Sequence, residues 1–182
     1  MQVIHRGVDT VHLSIQATLP PDLFAYLTAE KERADEARAP VEVRYRGADF
    51  HLSHHGGNGY RFILHDGPLG GRWAFKKPNA KDPWGVRIMV GSTFLATQGL
   101  GAVRAYISDT METLGMPFDA HQVSLGRADF CVDILAPDFK LDPELFVMHS
   151  NANRADYLTG EGDRRSNGRS SRYTSVTIGK MP

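Results

Sequence analysis

Apolar and polar residues alternate with period two along several short stretches of the chain. Between Val8 and Ala17, Val11, Leu13 and Ile15 share one side and His12, Ser14 and Gln16 the other, which predicts a first strand. Pro20-Pro21-Asp22 then opens a helix with Leu23, Phe24 and Leu27 as its apolar stripe. From Glu30 to Arg38 that helix is charged and alanine-rich, so it is expected to project into solvent before Pro40 stops it. Five β-rich runs follow, at 41–46, 50–54, 60–65, 72–76 and 84–90. Glycine-rich turn clusters at 56–59 and 66–71 separate them, and this close spacing predicts an antiparallel meander. Leu100, Val103, Ile107, Met111 and Leu114 recur at three- and four-residue spacing, which predicts a second helix capped by Ser92 or Thr93 and ended by Gly115. Gly99 and Gly101 weaken its first turns.

The stretch from Ser124 to Ile134 reads as a central strand. Ala128, Phe130, Val132 and Ile134 fall on an expected core face, and Arg127, Asp129, Cys131 and Asp133 on the other. Val123 and Leu125 break that phase, so a bulge is expected near Gly126. Two carboxylates four residues apart lie roughly 13 Å from each other along a strand. Such a row suits a hard divalent cation with oxygen ligands, and equally an Arg/Asp ladder on a solvated edge. Beyond it, residues 143–149 suit a short helix and 154–158 fit no single element. Residues 159–172 form a Gly/Ser/Arg loop, and 172–180 pattern as a strand that runs to the end of the chain, as in a protein truncated there. The expected fold is α+β: a largely antiparallel sheet with two main helices on one face, in one domain over 1–182.

At 182 residues the chain can bury a sizeable core without disulfides. Its 21 basic and 21 acidic residues leave no net charge, so only local clusters argue for a polyanionic partner. The densest cluster is at the end, where Arg154, Arg164, Arg165, Arg169, Arg172 and Lys180 face Asp156, Glu161 and Asp163. Arginines in a Gly/Ser loop can reach phosphate oxygens without reading sequence, although many solvated loops have the same composition. Lys76-Lys77, beside Trp73 and Phe75, is a second candidate phosphate contact, the two aromatics themselves suiting core. The single cysteine, Cys131, suits a reducing compartment and is expected to pack as a small buried hydrophobe. No signal-like start or membrane-length apolar run is visible, so a soluble cytoplasmic protein is expected. The histidines at 51, 54 and 55 have weak metal spacing and suit exposed turns. No phosphate-binding glycine loop, nucleophile elbow or His-hydrophobe-His triplet is present.

Several pieces occur together: Gly7-Val8-Asp9-Thr10 on the first strand, Trp73-Ala74-Phe75-Lys76 in the meander, Val86 to Val90 before a helix, Tyr173 to Lys180, and above all Arg127-Ala128-Asp129-Phe130-Cys131-Val132-Asp133. In this order the chain resembles the replication initiation factor family of plasmids and phages, rolling-circle initiators of the Rep-trans type. The most specific piece is the Arg-x-Asp-x-x-x-Asp strand; elsewhere the likeness is one of pattern. The resemblance implies an origin-specific enzyme that nicks and rejoins one DNA strand through a tyrosine, with a divalent metal, Mg or Mn, polarising the phosphoryl oxygens. It implies Asp129 and Asp133 as metal ligands, Asp9 as a weaker third, and Arg127 as a residue that orients a carboxylate or contacts phosphate. Arg164, Arg165, Arg169, Arg172 and Lys180 become the expected DNA contacts. The partner would be origin DNA, as a single strand or hairpin, with host replication proteins as further partners. The family's nucleophilic tyrosine lies beyond residue 182, so the chain as it stands is expected to lack nicking activity. The alternatives are a phage or plasmid DNA-binding regulator without chemistry, and a phage accessory protein.

Overall fold

The computed structural model describes residues 1–67, 69–138, 157–158 and 175–176. Val3–Ile134 is one compact unit. Outside it, β8 (Tyr157–Leu158) pairs antiparallel with β9 (Ser175–Val176). In the compact unit, β1 (Gln2–Ile15), β2 (Val41–Tyr45), β3 (Ala48–Leu52), β4 (Phe62–His65), β5 (Gly71–Phe75), β6 (Val86–Val90) and β7 (Val123–Leu135) form a sheet of order β2-β3-β4-β5-β6-β1-β7. Helices α1 (Pro21–Ala37) and α2 (Ser92–Thr113) share one hydrophobic core against it, as expected for an α+β fold. No helix among the described residues is long and apolar enough to cross a membrane.

Register decides what each face carries. Val41, Leu52, Leu64, Trp73, Ile88 and Leu13 are successive cross-strand neighbours over six strands. Leu52, Leu64, Trp73 and Ile88 in this row are fully buried. Side chains alternate along a strand, so the residues one position away form a second row on the opposite face.

Helix α1 begins with proline at its first position, where a missing N–H costs nothing, and ends at Arg38, whose φ of 50° is left-handed. Leu23 and Leu27 enter the core, and the Phe24 ring meets Phe62 edge-on at 5.9 Å. The charged second half is not free in solvent as its composition suggests. Lys31 and Ala34 are buried. The Lys31 ammonium donates to the Asp35 carboxylate at 3.0 Å, to the Ser53 carbonyl at 3.2 Å and to the His54 carbonyl. One lysine thus satisfies backbone acceptors of the β3–β4 connection while its stem packs.

Helix α2 follows Gly91, and neither Ser92 nor Thr93 supplies a side-chain cap. Its path breaks at Gly99, where φ is 78° and ψ is 168°, values that glycine adopts without a Cβ clash. The break displaces Leu100 from the expected stripe and leaves it 56% exposed, while Val103, Ile107 and Met111 are buried. Tyr106 anchors the helix to the β4–β5 connection. Its hydroxyl accepts from the Gly71 N–H at 2.9 Å and from the Trp73 indole N–H at 2.8 Å, and donates to Asp66.

Strand β7 is the outermost strand of the described sheet, not a central one. The Gln16 N–H donates to the Gln122 carbonyl at 2.8 Å, and Gly126 lies against the His12 carbonyl. β7 therefore runs antiparallel to β1. Val123 and Leu125, then Ala128 and Phe130, line the same groove beside α2, so the alternation slips by one residue across Gly126, as the broken phase suggests. The expected core face is not buried: Phe130 is 79% exposed, Val132 58% and Ile134 49%. α2 packs on β6, and between α2 and the edge strand two places further on an open groove remains, lined by both. Cys131, expected to be buried, is half-buried and free.

Replacing Tyr106 with phenylalanine keeps the ring but removes the hydroxyl shared by the Gly71 N–H, the Trp73 indole N–H and Asp66, leaving the two donors only their contacts to that carboxylate. The expected cost is about 1–3 kcal/mol in urea unfolding, whereas Thr113→Ala, on the exposed end of α2, should change stability by less than about 0.5 kcal/mol.

Candidate nucleic-acid interface

The face opposite the helices carries the complementary row: Glu42, His51, His65, Arg72, Met89 and His12, one from each of β2, β3, β4, β5, β6 and β1. A parallel row places Ile63, Ala74, Arg87 and Ser14 side by side. His51, His65 and Arg72 are exposed, and His12, Ser14, Arg87 and Met89 are half-buried. Ile63 is covered on this side by the Gly56–Tyr60 turn, with Gly57 in van der Waals range of its terminal methyl. Arg61, Arg72 and Arg87 have no carboxylate partner among the described residues, whereas Arg44 pairs with Asp49 at 3.2 Å. The open face thus offers unneutralised guanidinium groups and imidazoles above a rigid backbone.

At the β1–β6–β7 end the arrangement is tighter. The Arg87 guanidinium lies 3.2 Å from His12 Nδ1. Arginine can only donate, so Nδ1 accepts and the ring is neutral with its proton on Nε2. Partial burial, followed by the charges of Arg87 and Arg127, holds the His12 pKa below the usual histidine value, with Asp129 opposing. His65 is lowered likewise, by burial and then by Arg72.

The expected site residues separate into those the fold gathers and those it does not. Arg127 grips Asp129 through two bonds, Nε to Oδ1 at 2.9 Å and Nη2 to Oδ2 at 2.8 Å. This lowers the Asp129 carboxyl below its ordinary range. Asp9 accepts from the Thr10 hydroxyl at 3.2 Å, and its charge further stabilises the Arg127 cation. Asp133 is exposed further along β7. Both Asp129 oxygens serve Arg127, and among the described residues no three His, Cys, Asp or Glu side chains gather closely enough to hold one ion. In this arrangement Asp129 is paired with an arginine, while Asp133 stands exposed further along the strand. Arg164, Arg165, Arg169, Arg172 and Lys180 lie outside the described residues.

His12, Arg72 and Arg87 escape sequence reading because each is an ordinary polar residue of its own strand; only register places them on one face. The polar phase of the first strand, His12-x-Ser14-x-Gln16, was the one available signal. His51 meets His65 across two strands, whereas His55 lies beyond the end of β3. No protein-family model, no curated protein and no solved structure matches the chain.

The charges around His12 give a signed prediction. Followed by histidine-ring NMR, Arg87→Gln should raise its titration midpoint and Asp129→Asn should lower it. Its folded pKa lies below the unfolded value, so the His12 contribution to stability is complete above pH 6.5 and is lost as pH falls toward the folded pKa. His12→Gln should flatten the acid side of a urea-midpoint profile.

Proposed function

We propose that this chain is a DNA-binding domain of the replication-initiator kind, which holds a single DNA strand across the bare face of its sheet. The observation that carries this reading is the confinement of both helices to one face, which leaves Arg72 and Arg87 on the other without a carboxylate partner among the described residues. Guanidinium groups donate to phosphate oxygens as planar forks, and a flat array of them follows a backbone without reading bases. The resemblance of the β7 strand to the Arg-x-Asp-x-x-x-Asp piece of rolling-circle initiators adds support. Origin recognition and strand nicking belong to that resemblance.

The second reading, a regulator that binds DNA without chemistry, is favoured by the Arg127–Asp129 pair. A carboxylate held at both oxygens by a guanidinium is not poised to take a cation. Divalent metal removal separates the two. For the regulator, chelation leaves binding unchanged and Mg²⁺ or Mn²⁺ produces no cut strand; for an initiator that carries the family's tyrosine, metal-dependent nicking disappears in Asp129→Asn.

Fluorescence titration with labelled single-stranded DNA across a salt series tests the interface itself. Arg72→Ala and Arg87→Ala should each weaken binding and flatten the log–log salt slope by about 0.7 per lost phosphate contact, while Arg104→Ala on α2 leaves both unchanged. Equal behaviour of all three variants would remove the sheet face as the interface.

A further inference from the structure

Where β4 begins and β5 ends, Tyr60-Arg61 and Lys76-Lys77 flank a cavity of about 570 Å³ that Asn79 and Asp82 also line. Three cations meet one carboxylate there. Asp82 is already committed: it accepts from the Lys76 ammonium at 2.7 Å and from the Trp84 N–H at 3.1 Å. Lys76 also stands 5.3 Å from the centre of the Tyr60 ring, which fixes the ammonium between an aromatic face and a carboxylate. Arg61 and Lys77 have no carboxylate partner among the described residues. The Arg61 Nε is buried with no hydrogen-bond acceptor, although its guanidinium packs 5.4 Å from the Phe62 ring. Three cations against one carboxylate leave the cavity lining net positive, and its guanidinium and ammonium groups suit an anionic acceptor.

The walls are stiff. Gly57 and Tyr60 exchange backbone hydrogen bonds of 3.0 and 2.9 Å around Asn58 and Gly59, whose φ values of 52° and 83° define a tight two-residue turn. On the other side the Lys76 N–H bonds the Gly85 carbonyl at 2.8 Å, and Asn79 accepts from the Lys81 N–H at 3.0 Å. The volume lies within the range of small-molecule sites and suits one nucleotide unit.

We propose that this cavity is a nucleotide-phosphate pocket, in which Arg61 and Lys77 bind the phosphate and Lys76, held by Asp82 and Tyr60, completes its charge. The phosphate can come from a free nucleotide or from one unit of a DNA strand. Only the second source rests on the sheet-face reading above; phosphate recognition rests on the pocket alone.

The test titrates the full chain with two probes, thymidine 5′-monophosphate and an oligothymidylate of about ten nucleotides, within the usual single-strand site size. Amide NMR shifts at 59–61 and 76–79 report the pocket. For the pocket, Arg61→Gln combined with Lys77→Gln should weaken at least one probe about tenfold or more, as expected for lost charge-assisted bonds. Lys77→Gln alone, at an exposed side chain, keeps the test valid should the double variant fail to fold. Monophosphate binding lost in these variants and kept in Arg72→Ala supports a free-nucleotide pocket. An effect on the oligonucleotide alone supports a strand-phosphate pocket. Unchanged affinity for both probes, or shifts confined to other residues, overturns the proposal. If Arg72→Ala and Arg87→Ala leave oligonucleotide binding intact while the pocket variants reduce it, the sheet-face reading fails and the pocket stands.

Discussion

The register that seats Ile88 between Trp73 and Leu13 is the constraint on which the remaining structure depends. β6 pairs on both edges, so this contact joins the meander of β2 to β5 with the N-terminal strand. A slip of one residue on either edge would exchange Ile88 for Arg87 or Met89 at the core and carry Trp73 or Leu13 into solvent. The burial of Trp73 and Ile88 therefore specifies two surfaces at once. It completes the platform for both helices, and it aligns His65, Arg72, Met89 and His12 on the opposite face.

Polar anchoring reinforces this apolar register at two places where helices meet connections rather than strands. Tyr106 ties α2 to Asp66, Gly71 and Trp73, and Lys31 ties α1 to the carbonyls that follow β3. Both use one long side chain to bond several polar groups at once. The Lys31 anchor also helps to hold the β3–β4 connection, and the turn within that connection forms one wall of the cationic cavity. Core docking and the proposed phosphate pocket are thus linked through a single segment of chain.

On the sheet face opposite the helices, charge is divided unequally. The β7 end is self-neutralised, with Asp129 bound to Arg127 and Asp9 adding to the field at that arginine. In the middle of the sheet Arg72 and Arg87 have no carboxylate partner among the described residues, and where β4 begins and β5 ends one carboxylate, Asp82, faces Arg61, Lys76 and Lys77. A guanidinium already bidentate to a carboxylate has little charge left to offer an anion, whereas one without a carboxylate keeps it. The cations without a carboxylate partner among the described residues therefore lie away from the β7 carboxylates, where the sequence drew attention.

Sequence by itself determined the elements. Period-two alternation marked β1 from Val8 onward, although the strand begins at Gln2; β-rich runs between glycine turns marked β2 through β6, period 3.6 marked α2, Pro21 and Gly115 marked helix ends, and the broken phase at Gly126 marked the slip in β7. These are local signals, set by backbone geometry and by which side chains avoid water, and they suffice for an antiparallel α+β fold with helices on one face. Only tertiary structure decided which strand lies at the edge, because Ala128, Phe130, Val132 and Ile134 read as core whether or not a helix reaches them. It also buried Lys31 inside a charged helix and bent α2 at Gly99. The site followed the same division. Arg127 and Asp129 were legible as neighbours on one strand, while His12 with Arg87, and Arg61 with Lys76, meet across strands, in contacts that sheet order and register create and that no single stretch of sequence contains.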